Sequence, residues 1–509
     1  MALAVYRRRE PQKTVLYQVL QEHWSAFLAK CDEADRCVPS FVRKEIESFL
    51  DCGVLERGFA RAVCACGFER LVPLSCGRRA FCPSCCGRRM NDLAAHLVDR
   101  VFPTTPTRQW VLSLPHALRY LLAYDADLCT QVLRIFVAEV FKWYKRTAKE
   151  QLGLASVKQA HCGSVTAIQR AGSSVNLNLH FHQLACDGVF VQQHEDDTPA
   201  FHAMPAPSAP EISQIAWQTC LRTKKLLDRL GKGFDVSPDE VDGLLRQEPL
   251  LADCAASSMM DTTLFGNRAG QRTLKLRDAP VLTNESARPR AAHGFDIHAK
   301  VRIRADDRKG LERLCRYIGR PPISHDRLTR RSTGEVQVRL KRPWSDGTSQ
   351  IVLSPSTFIS RLVALVPPPR RNQVRYFGVF APRSKLRHLI VPHVEDDVQP
   401  QQLELFEHLC NVRGILGPDV LPNNGVTKPQ YRRRWAQLLS RVLDIEALDC
   451  PHCPRKLRIV AFVTEPRAIT SILRAQGFSS QTTVLHPARA PPQLTLPFRT
   501  GAVHQQKSA

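Results

Sequence analysis

Apolar residues recur at helical spacing near the start of the chain. Val15, Leu16, Val19, Leu20, Trp24, Phe27 and Leu28 form one stripe. Side chains three and four residues apart share a face, so the stripe predicts an amphipathic helix packed on its neighbours. A second stripe follows Asp127, with Val132, Leu133, Phe136, Val137, Val140 and Phe141, and carries Lys142, Lys145 and Arg146 near its end. Between Gly163 and Val191 the period falls from about 3.6 to 2. Residues 165–169 read as a strand, 171–174 as a turn and 175–184 as a second strand, with Asp187-Gly188 opening another turn. This is the pattern of a β-hairpin or meander.

Downstream, a proline-bearing aperiodic stretch over 192–211 reads as a loop, and helical period returns over 215–230. Phe295, Ile297, Ala299, Val301 and Ile303 then alternate with Asp296, His298, Lys300 and Arg302. That alternation predicts a half-buried strand with a polar, mostly basic exposed face. Asp306 and Asp307 can cap a helix whose apolar positions are Leu311, Leu314, Cys315 and Ile318, stopped by Pro321-Pro322. Strands over 336–340 and 350–353, a proline connector at 367–371, a helix over 435–448 and a disordered tail complete the reading. Helices mixed with antiparallel hairpins predict an α+β fold.

Composition narrows the partner. The 509 residues carry 72 Lys+Arg against 48 Asp+Glu, a formal charge of +24. A hydrophobic content of 43% excludes wholesale disorder, and the length suggests three to four domains of about 150 residues. No apolar run approaches the ~20 residues that span a bilayer, and MALAVYRRREPQK has no apolar core ahead of a cleavage site. A cytoplasmic protein without membrane association is therefore expected. In that reducing setting eighteen cysteines serve metal binding or plain burial rather than disulfides. The basic surplus points to the phosphate backbone of nucleic acid.

Five of those cysteines, Cys64, Cys66, Cys76, Cys82 and Cys85, fall within 22 residues, flanked by Arg78, Arg79, Arg88 and Arg89. Thiolates hold structural zinc tetrahedrally, and a Gly/Arg-rich segment with little apolar matter needs such a staple to fold. Cys66, Cys82 and Cys85 are the leading ligands for one Zn2+, while Cys64 and Cys76 compete for the fourth place. Cys86 is weaker because it adjoins Cys85. The arginines suit phosphate contacts. Cys450-Pro-His-Cys453 is half of another knuckle with no second pair nearby.

In the cleanest alternating strand, Val175, Leu177, Leu179 and Phe181 face the core, while Asn176, Asn178, His180 and His182 share the opposite face. Imidazoles at i and i+2 project in parallel, about 6.5 Å apart at the backbone, and can meet one metal ion. Two histidines decorating a solvated strand face are the plainer alternative.

The run from Gly163 through Phe190 resembles the His-hydrophobic-His (HUH) strand of rolling-circle transposases, specifically those of insertion sequence ninety-one and its common-region relatives. Residues 66–89 resemble that family's zinc-binding region, and 311–317, 340–347, 375–382 and 448–453 its later blocks. The resemblance implies an HUH-type antiparallel sheet with packed helices, an N-terminal zinc-binding module and a smaller C-terminal region. The corresponding boundaries are 1–105 for a helical lead and zinc domain, 106–366 for the catalytic domain, 367–486 for a C-terminal region that aids DNA binding, and 487–509 for the tail.

The resemblance also implies a tyrosine that attacks a DNA phosphodiester, keeps the 5′-phosphate and frees a 3′-hydroxyl. Tyr317 matches that position. Arg313 lies at i−4, Arg316 beside it and Arg320 at i+3, where cations attract a phosphate. Some relatives carry a second tyrosine at the position of Arg313, so this chain resembles a single-tyrosine form. Mg2+ or Mn2+ would polarise the scissile phosphate, held by His180 and His182 with Gln169 as the first choice of third ligand and His298 or Asp296 as alternatives. The expected partner is DNA, as single-stranded element ends and target. The competing reading is a non-enzymatic, zinc-stabilised DNA-binding protein in which Tyr317 is a packing residue. A cut-and-paste transposase with acidic metal ligands has no matching block.

Overall fold

The computed structural model describes residues 8–192, 197–233, 243–278, 293–392 and 447–480. Nearly all of the helix expected over 435–448, and the tail, lie outside the described residues. The fold is α+β with antiparallel sheets throughout. Among the described residues no helix is long and apolar enough to cross a membrane.

The central six-stranded sheet runs β10-β3-β6-β5-β15, with β11 also pairing β3. Its strands are β3 (Thr107–Ser113), β5 (Gly163–Ala171), β6 (Leu177–Cys186), β10 (Asp296–His298), β11 (Arg302–Ile303) and β15 (Val374–Gly378). The hairpin read from the change of period is β5 and β6, joined through a turn in which Val175 takes a left-handed φ of 59°. The single strand expected over 295–303 is two pieces. Its register on β3 slips by one residue between them, and the Ala299 carbonyl there accepts from the Arg108 guanidinium at 3.0 Å.

Both faces of this sheet are covered. On one, Trp110, Leu112, Leu179 and Phe181 pack into a large core with α4 (His116–Tyr124) and α5 (Ala126–Leu152). On the other, Val165, Ala167 and Leu184 pack against α3 (Pro83–Arg100) and α8 (Arg308–Gly319) through Ala94, Leu97, Val98, Leu311, Leu314 and Ile318. The plainer alternative, two histidines decorating a solvated strand face, is not what this covering leaves: His182 is only 2% exposed. Strand periodicity reports which residues share a face, not what later covers it.

Helix α8 is set by its ends. Asp307 accepts the Gly310 N–H at 2.7 Å, the cap expected from the sequence. Arg308 reaches across to the carbonyls of Val98, Phe102 and Pro103, satisfying the otherwise open C-terminus of α3 and locking the two helices together. At the other end Gly319 sits where a Cβ would come within 3.2 Å of Leu93.

A smaller sheet, β16-β1-β2, joins distant parts of the chain. The strand β16 (Arg458–Val463) pairs antiparallel with β1 (Phe59–Val63), itself paired with β2 (Glu69–Pro73). The following helix α10 (Pro466–Ala475) buries Ile469 and Leu473 against Leu55, Phe59 and Leu71. Thus two described pieces of the span 367–486 lie apart: β15 extends the central sheet, while β16 and α10 complete the N-terminal module. Helices α1 (Val15–Glu33), α2 (Ser40–Asp51), α6 (Ala209–Arg229), α7 (Pro249–Met260) and α9 (Pro355–Leu365) contribute residues to the large core cluster.

Candidate metal centres and active site

The cysteines assemble into two quartets, Cys52/Cys76/Cys82/Cys85 and Cys64/Cys66/Cys450/Cys453. In the first, Sγ separations are 3.4 Å for Cys76–Cys85, 3.6 Å for Cys52–Cys82 and 3.7 Å for Cys52–Cys85. In the second they are 3.4 Å for Cys64–Cys453 and 3.5 Å for Cys66–Cys450. A tetrahedron with Zn–S bonds of about 2.3 Å has S···S edges of about 3.8 Å, whereas a disulfide brings sulfurs to about 2.05 Å. The spacing fits a zinc ion in each quartet. Backbone N–H groups of Cys76 and His452 donate to the Cys52 and Cys450 sulfurs at 3.3 and 3.4 Å, which favours thiolates. Hydrogen bonds from Cys52, Cys76 and Cys82 hold the Cys85 thiol well below the ordinary range.

This divides the expected single site. Cys66 does not join Cys82 and Cys85; Cys64 and Cys66 belong with the C-terminal half-knuckle, and Cys76 with Cys52. The physical reason is the pairing of β1 with β2 and β16. It brings the turn after β1 against the 450–453 loop, while the end of α2 presents Cys52 to the start of α3. Cys86 stays outside both quartets and points to the Arg79 carbonyl at 3.6 Å. Cys52 was not singled out from the sequence. The one signal for it was arithmetic: Cys76, Cys82 and Cys85 lack a fourth ligand once Cys64 and Cys66 pair with Cys450 and Cys453.

The candidate active site lies on the α3/α8 side of the central sheet. His180 and His182 project from β6 with ring centroids 4.9 Å apart. The Tyr317 ring meets His182 edge-on, with centroids 5.5 Å apart and an interplanar angle of 85°. Tyr317 is nonetheless 42% exposed, and the Arg320 guanidinium lies 4.3 Å from its ring centroid. His180 Nδ1 is 2.7 Å from the Asn178 carbonyl, so that nitrogen carries the proton and Nε2 keeps its lone pair. Burial pushes His180 down to about 4 and His182 to about 2, which leaves both rings neutral. His182 Nε2 is buried without a hydrogen-bond partner. Two neutral imidazoles, one with an orphaned nitrogen, fit a divalent ion.

Gln169 stands directly opposite His180 in the β5–β6 ladder, as its parity implied. Its amide nitrogen donates to the carbonyls of Tyr317 at 3.1 Å and Ile318 at 2.8 Å, capping the end of α8. Asp296 and His298 do not converge with the pair: among the described residues no third His, Cys, Asp or Glu joins the two histidines. Two neighbours escaped sequence reading. Buried Gln109 places its amide 2.9 Å from His182 Nδ1, on the adjacent strand β3. Lys341, an exposed residue on the wall of the same cleft as Gln169 and Arg320, is pushed down to about 7 by desolvation there and by the charges of Arg320 and Arg327.

The expected phosphate-binding arginines differ in situation. Arg79 is exposed and Arg320 half-buried at the Tyr317 ring. Arg78 donates to Ser48 at 3.1 Å and Arg89 to the Gly77 carbonyl. Arg88 is exposed on α3. Arg316 pairs with Glu312 at 2.6 Å, and Arg313, largely exposed, stands 3.9 Å from Asp307.

Comparison with known families places this geometry. Residues 163–387, which include the His pair and Tyr317, match the family described as "Putative transposase". Residues 19–114, which include six of the eight quartet cysteines, Cys52, Cys64, Cys66, Cys76, Cys82 and Cys85, match the "Transposase zinc-binding domain" model. No curated protein and no solved structure matches the chain. The chain thus carries the two domains of a transposase of the insertion sequence ninety-one type.

Proposed function

We propose that this transposase nicks and rejoins single-stranded DNA with Tyr317 as nucleophile, by an HUH mechanism in a single-tyrosine form. The observation that carries the reading is the placement of an exposed tyrosine edge-on to the buried His182 of a neutral histidine pair, with an arginine against its ring. A packing tyrosine would turn inward with Leu314 and Ile318; this one faces outward from the same helix.

In the step proposed, the Tyr317 oxygen attacks the scissile phosphorus as its proton leaves, and the bond to the 3′ oxygen breaks. That oxygen takes up a proton as a 3′-hydroxyl, and the 5′-phosphate remains on the tyrosine. Attack of a 3′-hydroxyl on the phosphotyrosine reverses the sequence and transfers the strand with no external energy source. Arg320 offers charge to the phosphoryl oxygens, which matters most as negative charge shifts in the transition state. Gln169 fixes the end of α8 against the histidine strand, so the nucleophile is presented in one position. His180 and His182, with Gln169 Oε1 still available, would hold Mg2+ or Mn2+, which when bound supplies Lewis-acid polarisation of the phosphate. With one tyrosine, two simultaneous covalent links in one site are not possible, so transfer reuses Tyr317 or recruits a second protomer.

The test incubates the zinc-loaded full-length protein with single-stranded oligonucleotides from the element's ends and Mg2+ or Mn2+. A 5′-linked adduct that survives denaturation is expected from wild type and not from Tyr317→Phe. Equal adduct from both sinks the assignment of Tyr317. No adduct with either metal favours a DNA-binding protein without chemistry.

A further inference from the structure

The two halves of the molecule meet over a cleft of about 460 Å3. One wall is the zinc module, through Arg79 in the loop before α3 and Arg89 on α3; the other carries Arg320 and Lys341. Gln169 and Gly319 line it as well, so the cleft runs to the end of the helix that bears Tyr317. Arg170 and Arg371 line it too, but their guanidinium groups donate to the carbonyls of Ala123, Tyr124 and Ala364 and contribute field rather than contacts. Against these six cations the lining holds one acid, Asp92. Arg79, Arg320 and Lys341 have no carboxylate partner within ion-pair distance among the described residues.

Charge of one sign concentrated in a cleft with protein walls focuses the field and attracts a polyanion. A groove lined by cations on both walls tracks the backbone of an unpaired strand. Arg313 and Arg316, by contrast, lie outside the lining and face Asp307 and Glu312. We propose that this cleft is the channel through which one unpaired DNA strand is led from the zinc module to Tyr317, its phosphates held between Arg79 and Arg89 on one side and Arg320 and Lys341 on the other. The proposal rests on the tyrosine reading for its destination, but not for the binding itself.

The test measures binding of a fluorescent 20-mer oligo-dT to the zinc-loaded full chain in a Tyr317→Phe background, across a salt series. The Arg79→Ala/Lys341→Ala pair is expected to weaken binding about tenfold or more. The slope of log K against log salt should fall by about 1.4, at about 0.7 per lost contact to a single strand. Lys142→Ala/Lys149→Ala, which removes the same charge from the exposed side of α5, should leave the slope within error. Retained zinc content and circular dichroism establish that each variant folds. An unchanged slope in the cleft pair, or equal loss in the α5 pair, overturns the channel, as does a larger loss for duplex than for oligo-dT. The adduct assay separates the two readings. Loss of strand binding in the cleft pair without any wild-type adduct keeps the channel and removes the chemistry; adduct formation with unchanged binding does the reverse.

Discussion

Gln169 donates its amide to the Tyr317 carbonyl at 3.1 Å while facing His180 across the β5–β6 ladder. One side chain therefore ties the last turn of the tyrosine's helix to the strand that carries the histidines. The last carbonyls of a helix have no intrahelical partner, and here they are satisfied by the residue that also fixes the distance to the site. Arg308 does the corresponding work at the other end of α8, on the carbonyls that close α3. The zinc module and the nucleophile are thus mechanically one unit.

Gln109 should control metal affinity without touching the metal. Its amide nitrogen stands 2.9 Å from His182 Nδ1; a half-turn of the amide puts Oε1 there instead, where it accepts from Nδ1–H and leaves Nε2 as the ligand nitrogen once a metal binds. Gln109→Leu should weaken Mn2+ binding by about 10–100-fold, read by electron paramagnetic resonance titration, with adduct formation restored at high Mn2+. Gln109→Glu, which still accepts from Nδ1–H, should stay close to wild type. Equal loss in both variants would show that Gln109 only fills space.

Zinc should come in two separable portions. The purified chain is expected to hold two ions, and Cys52→Ser or Cys450→Ser/Cys453→Ser to hold one each, by elemental analysis. The C-terminal pair should also make the β16–α10 unit more open to proteolysis, because it is then held by the β1–β16 ladder and a small apolar cluster of Leu55, Phe59, Leu71, Ile469 and Leu473 without the metal. Loss of both ions from either variant would mean that the quartets are not independent.

Strand binding should depend on pH through Lys341. Its folded value is lowered to about 7, so the side chain is charged below that and loses its proton as pH rises through it. A bound phosphate favours the charged form and draws the proton back. Affinity for single strands should therefore be level below about pH 7 and decline above it, until the value in the complex is passed. Lys341→Ala should flatten that decline in an anisotropy series from pH 6 to 9. A decline that persists in the variant would locate the titrating group elsewhere.

Asp187 should be a stability residue and not a functional one. It is fully buried and accepts both arms of Arg108 at 2.7 and 2.8 Å, Tyr144 Oη at 2.9 Å and Arg302 Nε at 2.7 Å. Asp187→Ala leaves Arg108 charged and unpaired in the interior, where breaking such a pair costs about 3–5 kcal/mol. A urea series should show a lowered midpoint of that order. A midpoint shift below about 1 kcal/mol would mean that water reaches Arg108 in the variant.

The sequence by itself determined the elements whose information is local. The helical stripes at Val15 and Val132, the Asp307 cap, the change of period at Gly163 and the shared face of His180, His182 and Gln169 all follow from residues within a few positions of one another. So did the existence of a cysteine-built zinc module, because no other chemistry suits that segment. The tertiary structure alone decided which cysteines share an ion. Cys66 and Cys450 are 384 residues apart, and only the pairing of β1 with β16 brings them to 3.5 Å. It also decided that the histidine face is buried, since the covering helices α3 and α8 come from before and long after the strand. The outward turn of Tyr317 was fixed in the same way. A helical wheel places a side chain at the margin of an apolar face; the carbonyl caps from Gln169 and the close approach at Gly319 determine what that margin looks onto. Periodicity is a property of neighbours in the chain, whereas a site is a property of neighbours in space.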